Sequence, residues 1–162
     1  MTSYMPVQIK LLEVVGVKWA FLAMRNPRMN HHKSNFLADV GLASKLIAAG
    51  DSHGKSMRGI IVYFELDCQI GWFVEWATYR VGIEVLSTSS TMLQDYAGMK
   101  GKDLAEAKQN NLANVVYHQT AIASYQALRR IYHQRRSHRH PDWKIFCDWI
   151  EALPYAHELI TV

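Results

Sequence analysis

The sequence predicts an α+β fold, with a small mixed or antiparallel sheet followed by long C-terminal helices. Three observations predict it. Val7–Val15 and Ile60–Leu66 are apolar, β-branched runs of strand length. The segments between and after them carry apolar residues at helical spacing. The resulting order, β, α, α, β, α and then helices, lacks the regular alternation of a doubly wound sheet.

The first strand, Val7–Val15, ends at Gly16. Val17–Arg25 then reads as a short helix carrying Trp19, Phe21 and Leu22, and Asn26-Pro27 breaks it. Met29–Ser34 is polar and reads as a loop. Asn35–Ala49 is a helix, with Phe36, Leu37, Val40, Leu46 and Ile47 on one face and Gly50 at its end. A polar loop, Asp51–Gly59, leads into the second strand, Ile60–Leu66. Ile70–Tyr79 follows with Trp72, Phe73 and Trp76 at helical spacing. The hydroxyl-rich run Ser87–Thr91 is expected to be a loop or a phosphate-facing turn. From Asp103 to about Arg136 the spacing of Leu112, Val116, Ile122, Leu128 and Tyr132 predicts one long helix. Pro141-Asp142 opens a last helix with Trp143, Phe146, Trp149, Ile150 and Leu153 inward, and Pro154 stops it.

At 162 residues the chain suits one domain, 1–162. Five Trp, five Phe and eight Tyr supply core volume and exclude a disordered chain. The two cysteines, Cys68 and Cys147, have no metal-binding spacing and read as small buried hydrophobes in a reducing compartment. No signal peptide is evident, and no run approaches the ~18 apolar residues of a membrane helix. The expectation is a cytoplasmic protein without membrane attachment. His31-His32 and His138-x-His140 lack a third ligand, so no metal site is expected.

The formal net charge is +4, and the positive charge is concentrated. Arg129, Arg130, Arg135, Arg136 and Arg139 interleave with His133, His138 and His140. This stretch is the sequence's best place for an anionic ligand. Arg129, His133 and Arg136 share one helical face, whereas Arg135 tends toward the apolar row and needs a partner. Two further stretches are candidates. The Asp51–Arg58 loop offers His53 and Arg58 between glycines. Tyr79 and Arg80 stand just before the hydroxyl run that holds Thr88, where they could stack on a ring and hold a phosphate, or Arg80 could pair with Glu84. No general base or nucleophile can be placed, so catalytic residues stay unassigned.

The order of these pieces resembles the flavin-dependent thymidylate synthases. The resemblance spans most of the chain and rests on order and spacing. It runs through Leu46–Gly50, His53, Ile60–Leu66, Ile70–Ala77 and Thr78-Tyr79-Arg80, then Leu128-Arg129-Arg130 to Arg136 and Asp142–Phe146. Of the family's Arg-His-Arg only Arg80 is kept, beside Thr78 and Tyr79. Ile83, Val85 and Leu86 stand at its Ser, Asn and Glu positions, Thr88 at a later Ser, and Phe146 at its nucleotide-contacting Arg. The resemblance implies a divergent relative that keeps the scaffold and departs at residues of the synthase apparatus. It further implies a homotetramer, FAD as cofactor and a nucleotide pocket between subunits.

The expected function is therefore binding of a nucleotide or similar phosphorylated small molecule. His53, Arg58, Tyr79, Arg80, Thr88, Arg129, His133, Arg135 and Arg136 are the candidate ligand-binding residues. The alternatives are a basic nucleic-acid-binding module on the Arg129–His140 face, or a protein-interaction (inhibitor) protein with exposed aromatic contacts.

Overall fold

A computed structural model describes residues 3–94 and 96–162. Four antiparallel strands form one sheet in the order β1-β2-β4-β3. They are β1 (Gln8–Val15), β2 (Ile61–Gln69), β3 (Ile83–Thr88) and β4 (Val116–Ser124). Between β1 and β2 lie α1 (Val17–Ala23) and α2 (Phe36–Ala48), and α3 (Ile70–Trp76) joins β2 to β3. After β3 come α4 (Thr91–Gln94) and α5 (Gly101–Asn111). After β4 come α6 (Tyr125–Arg135), α7 (Pro141–Glu151) and α8 (Ala156–Leu159). The predicted α+β class is the observed one, and its sheet is antiparallel.

Alternation along β2 sets the layers. Val62, Phe64, Leu66 and Cys68 are buried, and the residues between them are half-buried. Ala121 and Ala123 of β4 pair with Phe64 and Val62 and extend the same inner face. Trp72 and Trp76, one turn apart on α3, lay their rings on it, stacked at 5.7 Å. Trp143 and Phe146 of α7 close the core over them, with Trp72 and Trp143 ring centres 4.9 Å apart. The buried Trp76 Nε1 donates to the buried Gln119 Oε1 at 2.8 Å, so this aromatic core leaves that indole N–H satisfied. The other face carries the pairs Lys10–Glu65 at 3.3 Å and His118–Asp67 at 2.6 Å across the strands. Both cysteines are free and buried, and burial pushes their thiols up to about 12 and about 11.

The β1–α1 connection depends on Gly16. Its φ is +89°, and a Cβ there would meet Gly59 O at 2.0 Å. Only a glycine lets the two turns cross this closely. α2 is N-capped by Asn35, whose side chain accepts from Ala38 N at 3.3 Å.

Two segments differ from the sequence-based expectation. The long helix from Asp103 to Arg136 does not exist. α5 ends at Asn111, a 3-10 turn covers Leu112–Asn114, and Val116–Ser124 forms β4 before α6 begins. Asn110, Asn111 and Asn114 are weak helix formers, and β-branched residues follow them. Pairing with both β2 and β3 decides the matter, because β4 is a central strand. The second difference is at Ile83–Thr88. These residues form β3, and Ser87 and Thr88 belong to the edge strand rather than to a loop. Val17–Ala23 is also two residues shorter than the predicted helix, and the Met29–Ser34 loop holds a 3-10 turn at His31–Lys33.

Candidate functional site

β4 runs directly into α6, and the join shapes the most distinctive cavity. Ser124 is the N-cap of α6, its Oγ accepting from Ala127 N at 3.2 Å. Its backbone N–H donates to Gly82 O at 2.9 Å, and Tyr125 N donates to Ile60 O at 2.9 Å. These two bonds pull the Arg80–Gly82 loop and the start of β2 against the head of α6. The cavity between them has a volume of about 580 Å3. Ile61, Ile83 and Ile122 give it an apolar wall.

Three arginines line this space, Arg58, Arg80 and Arg130. Arg58 Nε donates to Gln126 Oε1 at 2.7 Å, and Arg130 Nη2 donates to Val81 O at 3.0 Å. Among the described residues, none of the three is paired with a carboxylate. Glu84 is the acid in the lining, on β3, and the alternative Arg80–Glu84 pair is not among the ion pairs of the described residues. The cavity is thus cationic, with donors that have capacity to spare. Guanidinium forks over an apolar wall suit a phosphate joined to a flat or apolar body.

The remaining sequence candidates fall elsewhere. Tyr79 and Arg135 meet in the core edge, where Arg135 Nε donates to Tyr79 Oη at 2.5 Å and Tyr79 Oη to Gln134 Oε1 at 3.0 Å. Arg135 finds the partners its inward position requires in Tyr79, Glu75 and the Trp143 ring. Arg129 and His133 contact each other, and both reach Ile160 O near the C-terminus, at 3.2 and 3.0 Å. Arg136 lies over the Tyr132 ring at 5.8 Å. Thr88 Oγ1 accepts from Gln119 Nε2 at 2.8 Å beside a small cavity that also touches Arg80. The basic stretch is therefore distributed over several sites.

His53 lines a separate cavity of about 910 Å3 formed by the end of α1, by α2 and by the loop before β2. Arg25, Arg28, Asn30 and Lys55 share it. Arg25 is committed to the fully buried Asp39, its Nε donating to Oδ1 at 2.6 Å. Among the described residues Asn30 Oδ1 is buried with no hydrogen-bond partner. Among the described residues no three His, Cys, Asp or Glu are grouped to hold a metal ion. No helix among them is long and apolar enough to cross a membrane.

Sequence reasoning missed Ser124 and Gln126 and left Arg130 out of the candidate site. All three depend on the head of α6, which a helix running from Asp103 would have hidden. The available signal was Ser124 itself, a good N-cap residue after the β-branched stretch Val116–Ile122.

The sheet, the helical layer and the cationic cavity define an α+β class with a phosphate-suited corner. Solved structures identify the fold as that of the flavin-dependent thymidylate synthases. Thymidylate synthase X from Helicobacter pylori, crystallised with FAD and dUMP, matches with a TM-score of 0.72 at 13% identity, over 96% of this chain and 97% of that one. A second structure of that enzyme with the same ligands gives 0.70 at 15% identity, over 97% and 98%. The UMP/dUMP methylase PolB from Streptomyces cacaoi, bound with 5-Br dUMP, gives 0.70 at 12% identity, over 99% and 97%. No protein-family model matches the chain, and no curated protein matches it in sequence. The family-like order read from the sequence is thus borne out by the fold.

Proposed function

We propose that this chain binds a nucleotide, with its phosphate held by Arg58, Arg80 and Arg130. One observation carries the reading: three arginines with no carboxylate partner among the described residues line one cavity beside an apolar wall. Ile61, Ile83 and Ile122 would cover the base or sugar, and Ser124 and Gln126 add polar contacts. The bound dUMP and 5-Br dUMP of the structural neighbours support this ligand class.

The His53 cavity is the proposed place for FAD. Arg28, His53 and Lys55 would meet its phosphates, and Asn30 Oδ1 would gain the N–H partner it lacks. A flavin bound there would supply hydride-transfer chemistry. This chain's own part would be to bind and orient. Association of several copies belongs to the same reading, supported by exposed Val85, Leu86 and Leu93 on and beside edge strand β3. Native mass spectrometry tests it.

Calorimetric titration with dUMP tests the central claim. Arg80→Ala and Arg130→Ala are each expected to weaken binding by roughly tenfold, the loss of one charge-assisted contact. Affinity unchanged in both variants would overturn the assignment. A melting temperature unmoved by FAD would remove the cofactor part alone.

A further inference from the structure

A second cationic cavity, of about 680 Å3, opens where α6 turns into α7. Glu75, Thr78, Arg135, His138, Arg139 and His140 line it. It is not isolated from the Arg58–Arg80–Arg130 cavity. A smaller cavity of about 230 Å3 shares Arg80, Val81, Ile83 and Arg130 with the first and Thr78 with the second. The three follow one another along α6 as a groove crossed by the Tyr79–Arg135 hydrogen bond.

The charges at the second end can be sorted. Glu75 Oε2 accepts from Trp143 Nε1 at 2.7 Å, sits 3.4 Å from Arg135 Nη1 and lies 3.9 Å from His138 Nε2. These contacts, the Trp143 hydrogen bond first, hold its carboxyl below the usual range. Glu75 and Arg135 therefore offset one another within the wall. Arg139 is exposed and has no carboxylate partner among the described residues. His138 Nδ1 accepts from His140 N at 3.1 Å, and His140 Nδ1 accepts from Asp142 N at 3.3 Å. With Nδ1 accepting, Nε2 is the remaining donor position of each ring, and that of His138 faces Glu75. The Arg139 guanidinium and the His140 Nε2 position suit a single phosphate.

We propose that this corner is a second phosphate subsite, so that the groove takes a nucleotide bearing a further, separated phosphate, as in a dinucleotide or the end of a strand. The inference rests on the nucleotide reading of the first cavity. Thr78 and Tyr79 line the small cavity that lies next to both corners.

The test is calorimetric titration of the full chain with three probes: dUMP, the 5′-phosphorylated dinucleotide pdUpdU, and a 5′-phosphorylated dU octamer. The expected result is that pdUpdU binds roughly tenfold tighter than dUMP, through one added phosphate contact. Arg139→Ala should abolish that gain and leave dUMP affinity unchanged, whereas Arg80→Ala should weaken both. An octamer that binds like pdUpdU supports the inference with a strand end as source, and one that fails beside a tight pdUpdU supports it with a free dinucleotide. Equal affinity for dUMP and pdUpdU overturns the inference and leaves the nucleotide reading standing, as does a gain that survives Arg139→Ala. A chain that binds none of the probes overturns both.

Discussion

The guanidinium carbon of Arg135 lies 4.7 Å from the centre of the Trp143 ring, and Arg135 Nε donates to Tyr79 Oη. Its Nη1 reaches Glu75 Oε2, the same oxygen that accepts from Trp143 Nε1. One side chain of α6 thus ties α7 to α3 and the residues that follow it. Arg135→Ala should cost about 2–3 kcal/mol, from lost cation–π and hydrogen-bond contacts in a site only 17% exposed. Arg135→Lys should recover less than half, because an ammonium cannot both stack on the ring and donate in its plane. Urea denaturation followed by Trp fluorescence measures both. A lysine variant as stable as the parent would show that the stacked fork matters little.

Asp39 is fully buried in the first turn of α2, where it accepts from Arg25 Nε and from Ser34 Oγ, each at 2.6 Å. Asp39→Ala leaves the Arg25 side chain, only 13% exposed, without a counter-charge, and should cost about 3–5 kcal/mol. Replacing both partners with apolar residues of similar volume should restore much of that loss, because the unpaired charge is then gone. Thermal melts of the single and double variants decide it. A double variant no more stable than Asp39→Ala would mean that the pair's own attraction dominates.

These two residues show how far the sequence was legible. Arg135 could be recognised as an inward arginine that needs partners, because helical periodicity places it beside Leu128, Ile131 and Tyr132. Its partners could not be read, since Glu75 and Tyr79 lie more than fifty residues away and meet it only through tertiary packing. The strands β1 and β2 and the helix α7 were visible because each pattern is local and strong. β4 was not, because its alternation, Gln119, Ala121 and Ala123 inward, uses small or polar residues that also fit a helix. Losing β4 hid the head of α6, and with it the cavity that Arg58, Arg80 and Arg130 line. Local density of Arg and His pointed instead to Arg129 and His133, which the fold directs to the Ile160 carbonyl.

Gly82 sits between the cationic loop and the head of α6 with φ at +79°. A Cβ there would lie 3.0 Å from both Ala127 Cβ and Ser124 Oγ. Gly82→Ala should cost about 1–2 kcal/mol for the left-handed backbone alone. It should also weaken dUMP binding, because relief requires Ser124 and α6 to move at the cavity's edge. Gly41 is the contrasting case, inside α2 with nothing within 4 Å of its Cβ position. Gly41→Ala should stabilise the chain by about 0.5–1 kcal/mol and leave binding unchanged. Equal effects of the two alanines would refute the backbone argument.

Acid should destabilise the fold in two stages. Partial desolvation, reinforced by the Arg129 guanidinium, holds the His133 imidazole below its ordinary 6.5. The folded chain then favours neutral His133, and the unfolded chain takes up a proton first as pH falls past 6.5. The stability tied to it is complete above that pH and declines below it. Glu75 follows the same sign at lower pH. Its carboxyl is held below 4.5, chiefly by the Trp143 hydrogen bond, so its contribution is present above 4.5 and is lost as pH falls through the lowered value. Melting temperatures between pH 8 and pH 3 should show both declines. His133→Gln should flatten the upper one and Glu75→Gln the lower one. A His133→Gln variant that keeps the full upper decline would place that proton on another histidine.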